Sequence, residues 1–188
     1  NVIVVNAIAD NFIVNYTISK LVEYENATSK DLQQNCFNMC NSNKNKELIG
    51  MNFTLYDDGS FEDIDEADLL YDKEVEYYNN IVLDVKQKIK NEISGINQHD
   101  KEETFESRRF IYSSDTCISL AHFLLRKDSF DCKFFLRSSN VKDTFYYDLN
   151  FLKHLSNVVY NMLNAEGKIC RMHFLINSGH IIEEADLS

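Results

Sequence analysis

The chain has 188 residues, of which 44% are apolar, 26% charged and 12% aromatic, enough to bury the core of one domain over 1–188 and too apolar for a disordered tail. Nineteen Lys and Arg against thirty Asp and Glu leave a net charge of −11, which argues against gripping a DNA or RNA backbone. No apolar run reaches the roughly 20 residues a membrane span needs, and the apolar opening 1–9 lacks the basic flank and cleavage site of a signal peptide.

In chain order, Val2 to Val5 is expected to form a short buried strand and Ile18 to Tyr24 a helical turn or two. Cys36 and Cys40 lie four apart with no second pair and no nearby His, so zinc is not expected. Five cysteines, odd in number and irregularly spaced, imply a reducing cytoplasmic setting. Asn41 to Asn45 is a polar loop. Asp57 to Glu76 carries ten carboxylates and one lysine, the pattern of a solvated face, and lacks the Gly that an EF-hand loop needs. No metal site is expected. A helix is predicted over 72–94, where Val75, Tyr78, Val82, Val85, Ile89 and Ile93 recur every three or four residues, with Asp72 as N-cap and Gly95 as the stop. Asn97 to Glu106 reads as a surface loop.

The second half turns β-rich. Ile118 to Leu125 and Phe130 to Leu136, joined by the polar turn Arg126 to Ser129, predict a hairpin. A second helix follows, with Phe151, Leu152, Leu155, Val158, Val159, Met162 and Leu163 on one stripe, and then a strand over Ile169 to Ile176. Paired strands with long helices beside them predict an α+β fold. Four polar features punctuate this half. Ser107-Arg108-Arg109 precedes a strand, and Cys117 opens the hairpin. Arg137-Ser138-Ser139-Asn140 closes it, with Asp148 eleven residues after Arg137. His180 follows the last strand. Singly, each has a bland explanation, such as a buried cysteine or a surface arginine.

Their joint order resembles the thymidylate synthase superfamily, and within it the phage-type deoxycytidylate hydroxymethylases. The resemblance rests on SRRFIYSSDTCISLAHFLLRKDSFDCKFFLRSSN, then YYD, then HFLINSGHII. It extends in weaker form to VIVVNAIADNFIV and YTISKLVEY at the start. It implies a curved mixed sheet with helices on one face, and a sheet back that forms a homodimer interface. Cys117 would be the nucleophile that adds to C6 of a pyrimidine deoxynucleoside monophosphate, its thiol acidified by nearby arginines. Arg137 and Ser138 would hold the 5′-phosphate, and Arg108 and Arg109 would reach it from the other subunit. Asp148 would accept from the amino group of cytosine, so that dCMP is preferred to dUMP, and His180 would contact the sugar. The one-carbon donor would be 5,10-methylenetetrahydrofolate.

The chain also departs from the family pattern. The general acid/base Glu falls at Lys20 in a gapless match, with Glu23 one helical turn on. Asn140 stands where an Asp contacts the pterin, and Ile182 where a Tyr contacts the sugar. There is no tryptophan, and no lid over the folate is expected after Ile182. A catalytically inactive family member, a nucleotide-binding protein or a structural subunit, therefore stands beside the active transferase.

Overall fold

The computed structural model describes residues 3–18, 25–57, 74–95 and 106–183. The chain is α+β; its described residues form a seven-stranded mixed sheet and three helices. Strands β1 (Ile3–Ala9) and β2 (Phe12–Ile18) form a hairpin. Its two-residue turn puts Asp10 and Asn11 at φ 46° and 68°, the geometry that suits the right-handed twist of paired strands. Helix α1 (Glu25–Ser42), strand β3 (Glu47–Asp57) and helix α2 (Val75–Ser94) follow. Then come β4 (Ile111–Ser113), β5 (Ile118–Leu125), β6 (Ser129–Asn140), helix α3 (Phe145–Met162) and β7 (Ile169–His180).

The sheet order is β2-β1-β3-β7-β6-β5-β4. Among the described strands only β6 and β7 run parallel, and α3 is the crossover between them. Alternation sets the two faces. Val5 and Ala7, Phe53 and Leu55, Met172 and Phe174, Cys132 and Phe134, and Ala121 and Phe123 are buried on one side. The helices meet one another across that side: Lys153 of α3 donates to Ser29 of α1, and Tyr78 of α2 to Asp148 of α3. No described helix covers the other side. Cross-strand register lines up Leu120, Phe135, Leu175 and Asn52 in one row, and His122, Lys133, His173 and Thr54 in the next. On it Val4, Ile8, Ile49, Tyr56 and Leu175 are 41–59% exposed. No described helix is long and apolar enough to cross a membrane.

The hairpin β5–β6, α3 and β7 form in the regions the sequence predicts, but several boundaries change. The first strand runs on to Ala9. Ile18 ends a strand instead of starting a helix, and 19–24, with Lys20 and Glu23, lie outside the described residues. Phe130 to Leu136 is part of a longer strand, so Arg137 to Asn140 is the last stretch of β6 and not a closing turn; likewise His180 is the final residue of β7. In α2, Glu74 and not Asp72 holds the N-cap position, without a side-chain cap bond. Gly95 does end that helix, but at φ −76°, in the right-handed region any residue can adopt. The predicted loop 97–106 is described only at Glu106.

Candidate functional site

Three consecutive residues at the end of β6 organise the site. The Arg137 N–H donates to the Cys117 carbonyl at 2.8 Å. The Ser138 hydroxyl lies 3.8 Å from Cys117 Sγ. Ser139 Oγ donates to Asp148 Oδ2 at 2.9 Å. One strand end thus reaches the cysteine before β5 and the carboxylate in the first turn of α3.

These residues line a cavity of about 660 Å³ together with Glu74, Tyr77, Asp115, Thr116, Asn140, Thr144, His180 and Ile182. Of the sequence-selected residues, Cys117, Arg137, Ser138, Asp148 and His180 share this cavity. Cys117 is the exposed thiol; Cys36, Cys40, Cys132 and Cys170 are buried, and all five are unpaired. Arg108 and Arg109 are exposed and do not line the cavity of their own chain. They precede β4, where the Arg108 carbonyl accepts from His122 Nε2. The Arg109 N–H donates to Ser107 Oγ.

Arg137 is exposed, and Nη1 donates to the Asp115 carbonyl at 3.1 Å. That contact fixes one edge of the guanidinium and leaves the rest of its donor fork for an anion. Gly179 lets β7 pass closely beside this end: a Cβ there would lie 3.3 Å from both Met51 Cε and Val141 Cγ1.

Asp148 is buried, and both its oxygens accept hydrogen bonds, from Tyr78 and from Ser139. Burial pushes its carboxyl up to about 6; the two hydrogen bonds oppose the rise and the Glu74 charge adds to it. The Tyr78 hydroxyl is pushed up as well, by burial first and then by the Asp148 charge.

Glu74 was not among the residues singled out by sequence. It sits in the acid-rich run, where nothing separates it from nine other carboxylates. Its position at the start of α2 is what brings it to the cavity that holds Cys117. Tyr77 was also missed, because the helical stripe runs through its neighbour Tyr78.

The chemistry available is that of an exposed thiol, a cationic end with hydroxyls, and two carboxylates close enough to influence each other. Asn140, on the cavity wall, has both ends of its amide engaged: Nδ2 donates to Asp143 and Oδ1 accepts from the Lys142 N–H.

A scan against protein-family models finds no match for the chain, and no curated protein matches it.

Proposed function

We propose that this cavity binds a pyrimidine deoxynucleoside 5′-monophosphate, dCMP ahead of dUMP, and that the chain is a thymidylate synthase-like C5 transferase of the deoxycytidylate hydroxymethylase type. One observation carries this reading. Cys117, Arg137, Ser138, Asp148 and His180 come from four separate stretches of chain and converge on one cavity, in the order and spacing that suggested the family. The mixed sheet with helices on one face and an open back supports the same assignment.

In this account the phosphate sits on Arg137 and Ser138. Asp148, largely ionised at neutral pH, accepts from the cytosine amino group and repels the carbonyl that uracil presents there. Cys117 adds to C6, which makes C5 nucleophilic. Glu74 takes the acid/base role for which the sequence match offered Lys20, because its carboxylate lines the cavity and can hold and return a proton. In the reaction the resemblance implies, the C5 made nucleophilic by Cys117 would take its one-carbon unit from 5,10-methylenetetrahydrofolate. The sheet back pairs with a second copy, so that Arg108 and Arg109 serve the partner's cavity. Its apolar row Leu120-Phe135-Leu175 is the kind of surface that dimers bury. The exposed, unpaired Cys117 accords with the cytoplasm.

A second reading, a nucleotide-binding family member without turnover, is favoured by the engaged amide of Asn140. Release of tritium from [5-³H]dCMP in the presence of methylenetetrahydrofolate separates the two. The transferase releases it with wild type and not with Cys117→Ser. Nucleotide binding without release selects the second reading, and no binding of dCMP, dUMP or dTMP removes both.

A further inference from the structure

The peptide that joins Cys117 to Ile118 is held at both ends, by partners from opposite directions. Its carbonyl accepts from the Arg137 N–H at 2.8 Å. Its N–H, that of Ile118, donates to Tyr77 Oη at 2.9 Å. The second partner is a side chain for a reason of topology. On that side of β5 the neighbouring strand β4 ends at Ser113, paired with Leu120, and no backbone carbonyl continues the ladder to Ile118. A backbone N–H left here without a partner would be destabilising, and α2 supplies the missing acceptor.

The same hydroxyl reaches the other neighbour of Cys117. Tyr77 Oη and Thr116 Oγ1 are 2.9 Å apart. Thr116 is further tied to Ser114 through a 2.6 Å hydroxyl pair and its own N–H, and its carbonyl accepts from Ser119 Oγ at 2.7 Å. Cys117 itself lies in the bend before β5 and carries no ladder bond of its own N–H. Its direction therefore depends on what holds residues 116 and 118. Burial pushes the Tyr77 hydroxyl pKa up, so it stays a neutral group that can donate to Thr116 while accepting from Ile118.

We propose that Tyr77 is a positioning residue, whose hydroxyl clamps both neighbours of Cys117 and so fixes the direction in which the sulfur enters the cavity. The inference rests on the nucleotide reading above and adds to it a group outside the reacting set. Addition to a bound pyrimidine requires the sulfur to approach C6 from one face of the ring. The sulfur lone pair forms the S–C6 bond while the C5=C6 π pair moves onto C5, to be trapped there by an electrophile or a proton. A misdirected thiolate remains just as nucleophilic towards a small reagent from solvent, which can meet it from any side, but loses rate towards a substrate whose own position is fixed.

That difference gives the test. Tyr77→Phe removes the hydroxyl and keeps the ring. Three rates are compared in wild type, Tyr77→Phe and Thr116→Val: alkylation of Cys117 by iodoacetamide, covalent addition to 5-fluoro-dCMP with methylenetetrahydrofolate, and thermal unfolding. Cys117 is the exposed cysteine, so alkylation reports on it selectively. The clamp predicts alkylation within about threefold of wild type and a dCMP Kd within about twofold, with addition slowed at least tenfold in Tyr77→Phe. Thr116→Val, which loses one of the two bonds, should fall between. Addition at the wild-type rate in Tyr77→Phe overturns the inference. So does an equal fall in alkylation and addition accompanied by early unfolding, because that is a packing effect. Wild-type protein that binds no nucleotide, or forms no adduct, overturns the underlying reading and the clamp with it, and is told apart by the wild-type arm alone.

Discussion

Tyr78 Oη donates to Asp148 Oδ1 at 2.7 Å, and the two residues occupy the fourth positions of α2 and α3. This bond ties two helix starts together over the end of β6, and Ser139 closes the arrangement from below. It holds a carboxylate in a buried place where its charge is unwelcome. Most of what can be tested about the site follows from that position.

Stability should depend on the Asp148 proton. With its folded value raised to about 6, the native state binds this proton more tightly than the unfolded chain, so stability falls as pH rises from the ordinary carboxylate range through about 6. Asp148→Asn removes the dependence and keeps an acceptor for Tyr78. Thermal unfolding should show the variant more stable than wild type at pH 7.5, by about 1–3 kcal/mol, with the gap closed near pH 4. A difference that does not change with pH would contradict the raised value.

The same residue should set base preference. Above pH 6 the ionised carboxylate favours the amino group of cytosine, and calorimetry should find dCMP bound more tightly than dUMP. The ratio should shrink as pH falls below about 6, and Asp148→Asn should move it towards dUMP at every pH. An unchanged ratio in the variant would mean that Asp148 does not face the base.

Arg137→Ala should weaken nucleotide binding by one to two orders of magnitude, the equivalent of about 1.5–3 kcal/mol for a charge-assisted contact. Arg108→Ala and Arg109→Ala should weaken it only in the dimer. Phe135→Lys or Leu175→Lys on the open sheet face should leave a monomer in analytical ultracentrifugation. A wild-type protein that sediments as a monomer at micromolar concentration contradicts the shared site.

Glu74→Gln should lower turnover by at least about a hundredfold, the lower range for loss of a general acid/base, while the dCMP Kd moves only a few-fold. It should also let the Asp148 carboxyl titrate lower, because the Glu74 charge contributes to its rise. Turnover that survives in Glu74→Gln assigns the proton to another group.

The β-rich half was legible because its signals are periodic and local. Phe130, Cys132, Phe134 and Leu136 alternate with polar residues, and the structure buries that face. The four residues by which β6 runs past Phe130–Leu136 were hidden because Arg137, Ser138, Ser139 and Asn140 are all polar, though the strand pairs with β7 as far as Asn140. Helix α1 left a fainter trace. Its buried stripe is Ser29, Leu32, Cys36 and Cys40, so its helical spacing emerges only when cysteine and serine count as core residues. Ile18, expected to open a helical turn, is instead the last residue of β2, where Ile13, Val14, Thr17 and Ile18 supply the β-branched side chains that suit a strand. Order and spacing alone single out Cys117, Arg137, Ser138, Asp148 and His180, which share one cavity, and also Arg108 and Arg109, which do not line it. Glu74 and Tyr77 are not singled out, since their roles depend on where the first turn of α2 points, and a run of ten carboxylates carries no mark of which one turns inward.

Cys117 is proposed to attack a pyrimidine held by Arg137 and Asp148. The most direct measurement is mass spectrometry of the intact protein after incubation with 5-fluoro-dCMP and methylenetetrahydrofolate, followed by peptide mapping. The account predicts a covalent adduct that maps to the peptide bearing Cys117, is absent in Cys117→Ser, and forms more slowly in Arg137→Ala. Nucleotide bound with no adduct at Cys117, or an adduct that persists in Cys117→Ser, contradicts it.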